Sequence, residues 1–159
     1  MWHSLVGTAL LLIAEGLLLM YLQPEAGIWV ILLSAAAGAI GNIYVSAEVI
    51  EEVHNSWHML WLLSVITGEL VVFFALQYGY LLFIQPASFP TLVLSPVPLL
   101  LHSTMVFVFN PLFIPATEWG QELLLVIVLA TFVLMSLFKL SLLAVLAHHL
   151  PLPDFFVEP

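Results

Sequence analysis

The stretch Trp57-His58-Met59-Leu60-Trp61-Leu62-Leu63-Ser64-Val65-Ile66-Thr67-Gly68-Glu69-Leu70-Val71-Val72-Phe73-Phe74-Ala75-Leu76-Gln77-Tyr78-Gly79-Tyr80-Leu81-Leu82-Phe83 decides the fold. A helix needs about 20 mostly apolar residues to cross a bilayer, and this run exceeds that length. Gly68 and Glu69 sit near its middle. A carboxylate at the bilayer centre costs roughly 2.5–3.5 kcal/mol on insertion scales, which makes Glu69 a candidate functional group. A glycine beside it permits close helix contact or a one-residue bulge in the helical ladder. The pair therefore predicts an irregularity beside Gly68 that turns Glu69 away from lipid.

Working outward, the composition agrees. Of 159 residues, 64% are hydrophobic and 7% charged, whereas soluble domains carry roughly a quarter charged residues. The expected class is all-α, a single polytopic membrane domain over residues 1–159 with about five spans. Short connections between spans leave no room for a separate nucleotide or flavin domain. Cysteine is absent, which removes disulfides, thiolate metal sites and cysteine-bound iron–sulfur clusters. Ten acids stand against one basic residue, Lys139. Nucleic acid, which binds basic patches, is excluded as a partner, and lipid is the expected surroundings. The loops carry none of the Lys and Arg that normally set membrane orientation; this points to reliance on partner subunits or on a specialised insertion route. No cleavable signal precedes the first apolar run.

The expected spans are 5–22, 28–48, 57–83, 91–114 and 122–146, followed by a Pro-rich tail, 148–159. Glu15-Gly16 in the first span repeats the acid–glycine pairing of Gly68-Glu69. The second span carries Ser34-Ala35-Ala36-Ala37-Gly38-Ala39-Ile40-Gly41, a small-residue face that suits a packing seam. The fourth region holds Pro96, Pro98 and Pro111, so it is expected to be the least regular. His102 within it reads as a packing residue. Lys139 lies inside the last span, either snorkelling to the interface or pairing with a membrane carboxylate.

The segment Ala47 to His58 is the most polar. If it is helical, Glu51, His54 and His58 share one face, because residues three and four apart are neighbours. Glu-x-x-His is the spacing of di-iron carboxylate bundles, but no second Glu-x-x-His exists to complete such a site. A solvated connection is the better expectation, with no metal, haem or other cofactor bound by this chain.

Two pieces of sequence resemble subunit 6 of NADH dehydrogenase, the J subunit family of bacterial complex I. Val65-Ile66-Thr67-Gly68-Glu69-Leu70-Val71-Val72-Phe73-Phe74 is similar to the family's third-span run, and Ser46-Ala47-Glu48-Val49 to the end of its second span. Gln23-Pro24-Glu25 fits its turn before span two. The sequence departs at Ile66, where the family usually has Tyr, and at Glu69, where it usually has Ala. The resemblance implies a non-catalytic membrane-arm subunit without a redox centre, coupling ubiquinone reduction to proton translocation among other membrane subunits of a large respiratory complex. It implies the mitochondrial inner membrane rather than a bacterial plasma membrane. It makes Gly68 the bulge of a helix switch, packed by Phe73 and Phe74. Glu15, Glu69, Lys139 and Glu48 are the proton-path candidates, Glu69 on burial alone. Two readings compete with it: a stand-alone proton or cation channel or carrier using Glu15, Glu69 and Lys139, and a small membrane metalloprotein or haem protein using Glu51, His54, His58 and His102.

Overall fold

The computed structural model describes residues 2–53 and 56–149, with side chains described for 6–53 and 57–147. Five α-helices follow one another: α1 Trp2–Leu19, α2 Pro24–Glu52, α3 Ser56–Ile84, α4 Pro96–Phe107 and α5 Glu118–His149. A single 3-10 turn, Pro86–Ser88, follows α3, and no strand occurs among the described residues. Among the described residues, three helices are long and apolar enough to cross a membrane: α2, α3 from Trp57 and α5 to Ala147. The chain is thus an all-helical protein compatible with integral membrane insertion.

Local chemistry sets the helix ends. Pro24 occupies the first turn of α2 with Glu25 beside it, where a missing N–H costs nothing and a negative charge meets the helix dipole favourably. Helix α5 starts on Thr117, whose hydroxyl accepts the Gly120 N–H at 3.2 Å, a side-chain N-cap. Pro96 and Pro98 both lie in the first turn of α4 and start that helix rather than kinking a longer one.

The contacts give the direction of each element. Thr8 meets Glu69 and Glu15 meets Gln77, so α1 and α3 run parallel. Gly27 lies against Leu19 and Ile84, so α2 begins at the end where α1 and α3 finish. The Trp29 and Trp119 rings meet edge-on at 5.3 Å, which starts α5 at that same end. The fourth expected span holds only the short helix α4. Ala116 N–H bonds the Ser88 carbonyl at 2.8 Å, and the Thr117 hydroxyl reaches the Ser88 hydroxyl at 3.0 Å. The segment between Ser88 and Ala116 therefore leaves and returns at one end of the bundle. Within it α4 descends along α3 until the Ser103 hydroxyl bonds the Val71 carbonyl at 2.8 Å, deep in the bundle. The chain then breaks at Phe109, with φ 57°. Twelve residues make a helix of about 18 Å, well short of the hydrocarbon thickness of about 30 Å. Helix α4 is a short apolar helix that takes up only part of the expected span 91–114.

The core lies where α2, α3, α4 and α5 converge. The small-residue face of α2 is the expected seam: Ser34, Ala35, Gly38, Ala39 and Asn42 are buried along it. A Cβ at Gly38 would lie 2.4 Å from Phe73 Cζ, so the Phe73 ring fills the space a side chain would need. Phe74 beside it is also fully buried and packs toward Phe107.

Two expectations change here. Helix α3 is regular through Gly68, without the predicted irregularity. A Cβ at Gly68 would meet nothing within 4 Å, so that glycine serves no close packing. No change of register is needed, because a regular helix already carries Glu69 to Thr8 on α1. Of the three residues assigned to a helix switch, Phe73 and Phe74 are core and Gly68 is exposed. The shared helical face of Glu51, His54 and His58 is also lost. Helix α2 ends at Glu52 and Val53 takes an extended conformation, φ −89° and ψ 103°. Glu51 and His58 consequently belong to different helices, and His54 lies outside the described residues.

The two glycines predict opposite outcomes on substitution by alanine. Gly38→Ala is expected to lower stability by about 1–3 kcal/mol through overpacking against Phe73. Gly68→Ala should raise stability by roughly 0.5–1 kcal/mol, the ordinary gain of alanine over glycine inside a helix. Thermal unfolding of the two variants in detergent, compared with the parent chain, checks both signs.

Candidate functional site

The candidate site is built where α1, α2 and α3 meet, around Glu15. This carboxyl is 2% exposed. Its Oε2 accepts the Ser34 hydroxyl at 2.7 Å and the Gln77 amide N–H at 2.7 Å. The Gln77 amide nitrogen also lies 3.4 Å from the Ser34 hydroxyl oxygen. The other oxygen, Glu15 Oε1, and the amide oxygen Gln77 Oε1 are buried without a partner among the described residues. One polar group thus comes from each of three helices, in otherwise apolar surroundings. Neither donor carries a charge. The chain's one Lys or Arg, Lys139, is exposed on α5 and not part of this cluster.

A second polar rung lies on the same pair of helices. Thr8 on α1 donates its hydroxyl to Glu69 Oε1 on α3 at 2.6 Å. From Glu69 to Gln77 is eight residues, about 12 Å of helix, so the two rungs stand roughly two turns apart on one α1/α3 seam. Glu69 is half-buried and lines an open groove of about 350 Å³ together with Thr8, Leu12, Gly68 and Phe73. A larger groove of about 660 Å³, almost wholly apolar, opens between α1, α3 and the start of α4. Tyr80 stands on its wall, with its hydroxyl donating to the Leu12 carbonyl at 3.3 Å. That hydroxyl would lie 3.1 Å from a Cβ at Gly16, so the glycine after Glu15 leaves room for the tyrosine.

The remaining candidates disperse. Glu48, Glu51 and Glu52 are exposed in the last two turns of α2. Lys139 follows Phe138, which packs on the Met59, Leu63 and Val145 cluster at the far end of the bundle; this is the position expected of a side chain snorkelling to that interface. His102 is fully buried in an aromatic box, with ring centroids 4.6 Å from Tyr78, 5.6 Å from Phe89 and 5.3 Å from Phe113. Neither of its nitrogens has a hydrogen-bond partner among the described residues, so it packs through its ring faces. No group of three metal-ligating side chains comes together among the described residues.

Sequence reading picked out Glu15 and Glu69 but not the residues that hold them, Ser34, Gln77 and Thr8. The signal for Gln77 was present: an amide inside an apolar span must find a partner, and eight residues from Glu69 is close to two whole turns. Comparison with family models, curated proteins and solved structures finds no match to this chain.

The cluster yields a stability prediction. Gln77→Leu removes a buried donor and leaves Glu15 with the Ser34 hydroxyl alone, at an expected cost of about 1–3 kcal/mol. In the Glu15→Leu background the same change should cost much less, because the carboxyl it orphaned is gone. A double-mutant cycle by thermal unfolding in detergent measures the difference.

Proposed function

We propose that this chain is a membrane protein without redox chemistry of its own that passes protons or small cations, with Glu15 as the exchanging group. The observation that carries the reading is the buried Glu15 carboxyl, held by two neutral donors on one oxygen and unpartnered on the other. An ionisable group at membrane depth is costly, and the usual reason for keeping one is a proton or ion path. Carboxyl–amide–hydroxyl contact across three helices gives a proton somewhere to be held. Glu69, two turns away at an open groove, supports a path with two stations on one seam. The step needs no other reactant: a proton taken up by the carboxyl on one side is released to the other.

A second reading sets the same chemistry in a larger host. The resemblance to the complex I subunit family lies mainly on α3, the helix that contributes Glu69 and Gln77 to both rungs. In that reading the chain is a membrane-arm subunit of a proton-pumping NADH:quinone oxidoreductase of the mitochondrial inner membrane. The bulge at Gly68, which the resemblance implies as the coupling element, is replaced here by a regular helix. Coupling would then run through the polar rungs rather than through a change of winding. Co-purification with a very large NADH-oxidising assembly favours this host; recovery of the chain without other subunits favours the stand-alone channel or carrier.

Purified chain in liposomes loaded with a pH-sensitive dye tests the shared chemistry. An imposed potassium diffusion potential should drive proton entry. Glu15→Gln keeps the shape and hydrogen-bonding capacity but cannot exchange a proton, and flux should fall by about 10²-fold, the low end of what a positioned proton-transfer group contributes. Lys139→Met should leave flux unchanged. Undiminished flux in Glu15→Gln would falsify the assignment.

A further inference from the structure

The Glu15 cluster is short of one hydrogen. Ser34 brings one O–H and the Gln77 amide brings two N–H groups. The Ser34 hydroxyl is given to Glu15 Oε2 at 2.7 Å. The Gln77 amide nitrogen meets the same Oε2 at 2.7 Å and the Ser34 oxygen at 3.4 Å. The donors of both side chains are thus turned toward Glu15 Oε2 and Ser34 Oγ. Two oxygens are left over, Glu15 Oε1 and Gln77 Oε1, both buried and neither with a partner among the described residues. They belong to one carboxyl–amide pair, already joined by its 2.7 Å contact.

A single hydrogen on Glu15 Oε1 answers both. It turns that oxygen from an acceptor into a donor, and the Gln77 carbonyl is an acceptor with nothing else to accept. An acid and an amide can close a ring of two hydrogen bonds, N–H to one carboxyl oxygen and O–H from the other. The same hydrogen removes the charge. A buried carboxylate must be paired or neutralised, and no positive side chain stands here, since α1, α2 and α3 carry no Lys or Arg. The other titratable groups on the seam are Glu69, bonded by Thr8, and Tyr80, bonded to the Leu12 carbonyl. The acids of α2 stand toward its two ends, Glu25 in the first turn and Glu48, Glu51 and Glu52 in the last two.

A metal cation suits the same oxygens less well. Hard cations such as Ca²⁺ and Mg²⁺ take about six or more oxygen ligands, and only two oxygens here are without a partner, while helical carbonyls are engaged in their own ladders. Neither of the two grooves beside the seam is lined by Glu15, Ser34 or Gln77, so neither brings a hydrated ion onto the pair.

We infer that this site takes a proton and not a metal cation, held on Glu15 Oε1 and shared with the Gln77 carbonyl, with Gln77 the residue that makes it proton-specific. The inference rests on Glu15 as the exchanging group and names its ion. On uptake the O–H bond at Oε1 forms; on release it breaks, its electron pair stays on the carboxylate, and nothing is oxidised or reduced.

Infrared spectra of the purified chain in liposomes at neutral pH test this. The parent chain should show the C=O stretch of a protonated carboxyl, lost in Glu15→Gln and kept in Glu69→Gln. Replacing choline chloride by sodium or potassium chloride at equal ionic strength should leave the band in place. Gln77→Leu should move it to higher wavenumber, because the ring of two hydrogen bonds is gone. Absence of the band from the parent chain overturns the inference. So does its loss on adding sodium or potassium, or an unmoved band in Gln77→Leu. The parent spectra need no substitution, so they decide the matter even where a variant fails to fold. They read what the carboxyl holds and not what crosses the membrane. A sodium-insensitive Glu15 band together with undiminished flux in Glu15→Gln sinks the exchange role alone; lost flux in Glu15→Gln without a parent band sinks the proton assignment alone.

Discussion

A bilayer core supplies no hydrogen-bond partner, and every polar group at that depth must find one in protein or in trapped water. The architecture follows from this constraint. Four helices settle most of their backbone internally, and their stray hydroxyls bond back one turn, as Ser64 does to Leu60, Thr67 to Leu63, Ser136 to Phe132 and Ser141 to Leu137. Some groups that cannot be settled along their own helix are settled across the bundle, while Glu15 Oε1, Gln77 Oε1 and both His102 nitrogens have no partner among the described residues. Glu15 takes donors from α2 and α3, Glu69 takes one from α1, and Ser103 on α4 bonds the Val71 carbonyl. Polar contacts thus set the register of α1 and α4 against α3, while apolar packing supplies the bulk of the contact.

That packing has an asymmetric design. Helix α2 offers small residues and α3 offers large rings, so that Gly38 receives Phe73 and the two helices close on each other. In a membrane, where lipid tails are as apolar as leucine, close approach and good van der Waals contact take over the role that water exclusion plays in a soluble core. Glycine thus has two unlike uses in one structure. Gly38 and Gly27 leave room for Phe73, Leu19 and Ile84, whereas Gly68 faces open space.

Helix α3 separates the two halves of the polar chemistry. On one side of α3 lies the seam with α1, carrying two acids, an amide and two hydroxyls. On the other lies an aromatic box around His102, whose ring is held by Tyr78, Phe89 and Phe113. The box pins α4 and the irregular segment after it to α3 and so fixes where the exposed backbone of Val108 to Leu112 emerges. The polar α1/α3 seam and the exposed segment Val108 to Leu112 therefore share no residues.

By itself, the sequence determined the solvent. Its long apolar runs and few charges are those of helices that suit a membrane, where each helix settles its own backbone groups. It also marked the acids, since Glu15 and Glu69 stand out against apolar neighbours, and the α2 seam, whose small residues declare close contact. What only the tertiary structure decided are the quantities that depend on distance between helices. Hydropathy reads a 12-residue apolar helix and half of a full span much alike, so the return of the chain from Phe109 to Ser88 was invisible until the two ends were seen bonded together. The regular winding at Gly68 was decided in the same way: Thr8, 61 residues earlier in the chain, already reaches Glu69, and a carboxyl with a partner needs no bulge to turn it inward. Sequence shows which groups must be satisfied; the satisfying group is chosen by which helices the fold brings side by side.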